Sequence, residues 1–161
     1  MTTLRIGNVP LIPQYKTGSC WYASASMLAG WRIQSKGGLG PMTHPNAHSD
    51  TKDMYKRNAA LLAVGSGALK RWLGMKEISV PASPADWVTT LSKTGPLWAA
   101  GNKHWMAGYG HVVVVYGAAE TGLLINDPEP ISQGKEEWRS WASMNKFFAE
   151  SESEVKLLSC P

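Results

Sequence analysis

The stretch from Gln14 to Gln34 constrains this chain more than any other. Cys20 to Gln34 reads as a helix, preceded by capping side chains between Thr17 and Ser19. Ala23, Ser24, Ala25, Ser26, Ala29 and Gly30 keep that helix small on every side. Such a helix accepts close approach from several directions and so belongs in the middle of a domain. Cys20 opens it, six residues after Gln14. A thiol at a helix N-terminus is pushed toward thiolate by the dipole and by unpaired N–H groups. The Cys20 N–H and the Gln14 carboxamide would then supply two donors for an oxyanion. The pattern points to a cysteine hydrolase.

The composition is compatible with that chemistry. A length of 161 residues suits one domain, residues 1–161, with room for a real core. Hydrophobic residues at 43% and charged residues at 17% describe an ordinary globular chain, and eight tryptophans imply a rigid aromatic interior. The net charge of +4 is spread over pairs such as Lys56-Arg57 and Lys70-Arg71, so nucleic acid is not an expected partner. No apolar run reaches 18 residues, so no membrane partner is expected either. The N-terminus lacks a signal-peptide core, which implies synthesis in the cytoplasm and export, if any, by another machinery. Cys20 and Cys160 are the two cysteines. Cys160 lies beside the C-terminus, where order is often poor, and a catalytic thiol stays free, so no bridge is expected.

Along the chain, residues 4–13 read as extended, and Gly37 to Pro41 ends the first helix. Residues 42–52 form a polar loop. A second helix is expected from Asp53 to about Val64 and a short third from Ala68 to Leu73. Ser83-Pro84-Ala85-Asp86 is a helix start, with Trp87, Val88 and Leu91 facing inward and Gly95-Pro96 as the stop. The pattern then turns to strands: 96–100, the valine run His111 to Tyr116, and Leu123 to Asp127. Trp138 to Ala149 reads as a last helix and Val155 to Leu158 as a closing strand. Helices first and an antiparallel sheet second make an α+β domain.

The valine hairpin supplies the remaining chemistry. If it is symmetric about Ala119, Val115 faces Leu123, Val113 faces Ile125 and His111 faces Asp127. Opposed residues bring Cβ atoms to about 4.5–5.5 Å, enough for an imidazole–carboxylate hydrogen bond. Asp127 would fix the His111 tautomer while the second ring nitrogen pairs with Cys20. A one-residue slip presents Asn126 instead, which orients a histidine as well.

These residues resemble the papain-like cysteine proteases, through Gln14 and the box Gly18-Ser19-Cys20-Trp21. The bacterial avirulence-effector proteases of that type are the nearer likeness. It is carried by Val9-Pro10-Leu11, Cys20-Trp21-Tyr22-Ala23-Ser24, Gly95-Pro96-Leu97-Trp98, Gly110-His111-Val112-Val113-Val114 and Ile125-Asn126-Asp127-Pro128. More distantly, the chain is similar to the bacteriocin-processing peptidases of ABC exporters, which cut after double glycine. The resemblance implies Cys20 as nucleophile, His111 as base and acid, Asp127 as orienting acid and Gln14 in the oxyanion hole. It also implies a compact fold, with an N-terminal helical half facing a C-terminal sheet half across a cleft. A protein substrate in a target cell, delivery by a secretion system and a cognate immunity protein over the cleft are further implications. Thr17 stands where papain-type enzymes carry a disulfide cysteine, which suits a reducing compartment.

Other readings compete. A peptidoglycan amidase usually adds a second histidine downstream, and none follows His111. A non-catalytic binding module on a protease fold would not need all four positions filled. His44, His48, Asp50 and Asp53 share a polar loop without supporting cysteines, so neither a metal nor another cofactor is expected. His104 reads as a cleft-rim or surface residue. Trp98 reads as core, while Trp105 and Tyr109 are cleft-wall candidates, with Gly101, Gly108 and Gly110 allowing a peptide backbone to approach.

Overall fold

The computed structural model describes residues 2–61, 65–103 and 110–161. The expectations for His104, Trp105, Gly108 and Tyr109 lie outside them. In chain order the described elements are β1 (Leu4–Arg5), α1 (Cys20–Lys36), α2 (Ser49–Lys56), α3 (Gly65–Leu73), β2 (Lys76–Glu77), α4 (Pro84–Thr94), β3 (Leu97–Asn102), β4 (Gly110–Ala119), β5 (Gly122–Asp127), β6 (Lys135–Ser140), α5 (Trp141–Ala149) and β7 (Leu157–Ser159). The seven strands form one antiparallel sheet in the order β2-β7-β3-β4-β5-β6, with β1 also pairing β4. The α+β architecture is as expected.

The sheet is covered on both faces, which explains the valine run. One face presents Trp98, Ala100, Val112 and Val114 to Trp21, Ala25, Leu28 and Ala29 of α1. The other presents Leu97, Ala99, Val113, Val115 and Ile125 to Trp87 and Leu91 of α4 and to Met144, Phe147 and Phe148 of α5. A strand buried on both sides loses its apolar–polar alternation, and β4 is buried from His111 to Ala119. The small residues of α1 do the work assigned to them: Ser24 sits against β4, its hydroxyl donating to the Val112 carbonyl at 3.3 Å.

Local signals account for most element ends. Ser83 accepts the Asp86 N–H at 3.2 Å and so caps α4. Gly95 closes it at φ 78°, where an added Cβ would fall 2.2 Å from the Trp31 ring. Gly37, at φ 76°, ends α1.

Four expectations are corrected. The second helix spans Ser49–Lys56 rather than Asp53 to about Val64: the His48 ring accepts the Asp50 N–H as an N-cap, Thr51 donates to the His48 and Pro45 carbonyls, and Asn58 at φ 52° leaves the helical region just past its end. The last helix begins at Trp141, because Lys135–Ser140 pairs along β5 as an edge strand. Ser19 occupies the N-cap of α1 without capping it: its hydroxyl turns back to the Lys16 carbonyl at 3.0 Å, and no side chain caps the first turn. The closing strand runs Leu157–Ser159 and seats the buried Cys160, whose Sγ lies 3.6 Å from the Leu28 carbonyl, so the chain end is packed rather than frayed.

Candidate active site

Cys20 is the first residue of α1, so its N–H has no acceptor within the helix. The turn that delivers it is braced from a distance. Asn58, at φ 52°, accepts the Gly18 N–H at 2.8 Å and donates to the Thr17 hydroxyl at 2.8 Å. Lys16 donates to the carbonyls of Tyr55 and Lys56 at the end of α2. A Cβ at Gly18 would stand 2.8 Å from the Asn58 carbonyl oxygen, so only glycine allows this approach.

His111 lies at the start of β4 and is 2% exposed. Its Nε2 stands 2.6 Å from Asp127 Oδ1, in β5. The partner is the expected one, but the register is not. Ala119 pairs with Gly122 and Val115 with Ile125, a bulge between Val115 and Gly117 shifting the ladder, and Val114 faces Asn126. Val115 therefore does not face Leu123, and His111 does not face Asp127 squarely. The two are diagonal neighbours on one face of the sheet, a separation that long side chains still bridge. Asn126 points elsewhere: its Nδ2 donates to the Pro10 carbonyl at 3.1 Å and ties down the N-terminal segment.

Electrostatics favour an imidazolium at this position. Burial alone would lower the His111 pKa, but the hydrogen bond to Asp127 and the interaction with the Cys20 thiol outweigh it and push it up to about 9. Burial likewise acts to raise the Asp127 pKa, yet the His111 contact, the Glu129 N–H at 2.9 Å and the nearby Lys103 ammonium together lower it. With Nε2 committed to Asp127, Nδ1 is the ring nitrogen left for the Cys20 thiol. The Cys160 thiol is pushed up to about 12 by burial.

Cys20 and His111 line one cleft of about 340 Å³. Thr17, Gly18, Ala60 and Leu61 line it from the helical side, and Trp98, Gly101, Asn102 and Gly110 from the sheet side. Trp98 is fully buried and its indole donates to the Trp21 carbonyl at 3.2 Å, in keeping with a core role. Gln14 is buried too and is knitted to the far end of the hairpin: its N–H donates to Pro128 and its carbonyl accepts from Ser132, both at 2.9 Å. Its side-chain Nε2 donates to the carbonyls of Lys16 at 3.0 Å and Thr17 at 3.2 Å.

Two residues near the site, Lys103 and Glu129, carry no signal in the sequence. Lys103, just past β3, is 5% exposed, ion-paired with Glu129 and 3.9 Å from Asp127 Oδ2. A lysine at a strand end carries no local mark of burial, and its partner lies 26 residues away. His44 and His48 serve local turns, their ring nitrogens accepting the N–H groups of Asn46 and Asp50.

The family model for the papain-like cysteine protease AvrRpt2 matches residues 4–152. No curated protein matches the sequence. Among solved structures, a protein from Bacillus anthracis described as a C39-like peptidase aligns at TM-score 0.56 and 13% identity, over 100% of this chain and 98% of that one. The peptidase domain of Streptococcus ComA, a bi-functional ABC transporter involved in quorum sensing, aligns at TM-score 0.52 and 20% identity, over 95% and 99%. At these identities the two structures speak for the fold, and the family match spans nearly the whole chain. The chain belongs to the AvrRpt2 family of papain-like cysteine proteases.

Proposed function

We propose that this protein is a cysteine endopeptidase that works as a bacterial effector or toxin, cutting one or a few proteins of a target cell. The observation that carries the reading is the meeting, on the wall of one cleft, of a thiol at an uncapped helix terminus with a histidine that is paired behind it to a buried carboxylate. In the reaction, the Cys20 proton passes to His111 Nδ1 and Sγ attacks the scissile carbonyl carbon. The oxyanion is held by the Cys20 N–H. Gln14 joins when one Nε2 hydrogen leaves the Lys16 or Thr17 carbonyl for that oxygen. His111 then protonates the departing amine, leaving a thioester. Water, deprotonated by the same imidazole, releases the new carboxylate and restores the thiol. Asp127 holds the ring throughout and stabilises its positive charge. The glycines at 18, 101 and 110 on the cleft wall favour small residues beside the cleaved bond.

Delivery follows from the resemblance to avirulence effectors: synthesis in the bacterial cytoplasm, transfer by a secretion system and action in the recipient's cytoplasm. A producing cell exposed to its own kind would carry an immunity protein that fills the cleft. The test is to map new protein N-termini in recipient cells expressing wild type or Cys20→Ala. Discrete new termini confined to the wild type are expected. Equal termini in both, or digestion of purified peptidoglycan with no change to the proteome, would overturn the reading.

A further inference from the structure

Lys103 stands behind the histidine–carboxylate pair, and lysine is almost never buried without a partner. Its ammonium is ion-paired with Glu129 and lies 3.9 Å from Asp127 Oδ2. Glu129 grips the same carboxylate by a second route, its own N–H donating to Asp127 Oδ1 at 2.9 Å. One oxygen of Asp127 thus receives His111 and the Glu129 backbone, while the other faces the lysine. Building on the catalytic reading above, we propose that Lys103 and Glu129 form a positioning pair that holds Asp127 ionised and aimed at His111.

The pair also balances charge. Removing the lysine leaves the Glu129 carboxylate beside the site, which stabilises the imidazolium; removing the carboxylate leaves the ammonium, which destabilises it. Among the described residues, the other charged or titratable groups that line a cavity with His111 or Asp127 are Cys20, Arg139 and Glu152. Cys20 comes from α1. Arg139 of β6 lines the same small cavity and is engaged with Glu137 at 2.8 Å. From α5 come Met144 and Phe147, which carry no charge. Glu129 is about a quarter exposed along its side chain, so water can solvate it once Lys103 is gone.

The experiment measures kcat/KM against pH for Lys103→Met, Glu129→Gln, the double variant and Lys103→Arg. It also follows the His111 ring by NMR titration in the same variants placed on a Cys20→Ala background. Expected are movements of the alkaline limb by about half a pH unit or more, upward for Lys103→Met and downward for Glu129→Gln. The double variant should return toward wild type and Lys103→Arg should stay near it. A role in folding alone would not move the two limbs in opposite directions. Limbs that stay fixed, or that move together, overturn the proposal. If Lys103→Met does not fold, the downward shift in Glu129→Gln and the NMR titration still decide it. Asp127→Asn separates the two levels: full activity in that variant sinks the catalytic reading itself, whereas its inactivity with unmoved limbs sinks only the positioning pair.

Discussion

Replacing Asp127 by Asn tests how much of the imidazolium depends on one carboxylate. Asn keeps an acceptor for the Nε2–H but removes the charge 2.6 Å from the ring. His111 is 2% exposed, so water cannot make up the loss. Its pKa, held up at about 9, should then fall toward 6.5, since the Asp127 hydrogen bond is the largest influence that raises it and burial, larger still, lowers it. That span corresponds to a factor of about 300 in proton affinity, or about 3 kcal/mol. With a fluorogenic peptide assayed from pH 5 to 10, kcat/KM should fall about a hundred-fold or more, and the alkaline limb should move below neutrality. Stability carries the same signature. A histidine whose folded pKa exceeds its unfolded one stabilises the fold fully below about 6.5, and the contribution is lost as pH rises through about 9. Urea unfolding should therefore separate wild type from Asp127→Asn by up to about 3 kcal/mol near pH 6, with the gap closing above pH 9. An alkaline limb still near 9 in the variant, or a gap that widens with pH, would refute the reasoning.

Three further outcomes are expected. Gly18→Ala puts a Cβ 2.8 Å from the Asn58 carbonyl, so the turn before Cys20 shifts; kcat should drop about ten-fold or more while the urea midpoint moves little. Gly122→Ala, at φ 155°, brings a Cβ to 1.8 Å of the Arg139 carbonyl, and thermal unfolding should register a loss of about 2 kcal/mol or more through the β5–β6 ladder. Iodoacetamide should label Cys20 in the native protein and Cys160 only after unfolding, because Cys160 is buried and its thiol is pushed up to about 12; peptide mass mapping reads both sites.

The sequence was most legible where one cause dominated. The small residues of α1 and the valines of β4 had few places to go but a buried interface, and Ser83 with Pro84 and Asp86 marked a helix start through local bonds alone. It was least legible where partners are distant. Lys135–Ser140 is a charged edge strand whose only instruction is the ladder of β5, so its tryptophan was assigned to the helix that follows. The hairpin register differs because the turn is centred between Glu120 and Thr121, with Ala119 paired to Gly122, and the bulge between Val115 and Gly117 takes back only one residue of that offset. His111 and Asp127 still meet, since a diagonal and a direct neighbour on one sheet face are both within reach. Ser19 looked like a cap, but Lys16 offered its hydroxyl a nearer partner. Gln14 was recognised by type and spacing, yet the orientation of its amide depends on a turn that composition does not encode.

The strand β7 arrives last in the chain yet lies inside the sheet, between β2 and β3. Until β7 docks, β3 lacks one of its two neighbours, and the core that holds the histidine strand stays open on that side. Catalytic competence therefore waits on the docking of residues 157–159 against β3. Truncation ahead of Leu157 should silence the enzyme even though Cys20, His111 and Asp127 all lie upstream of the cut.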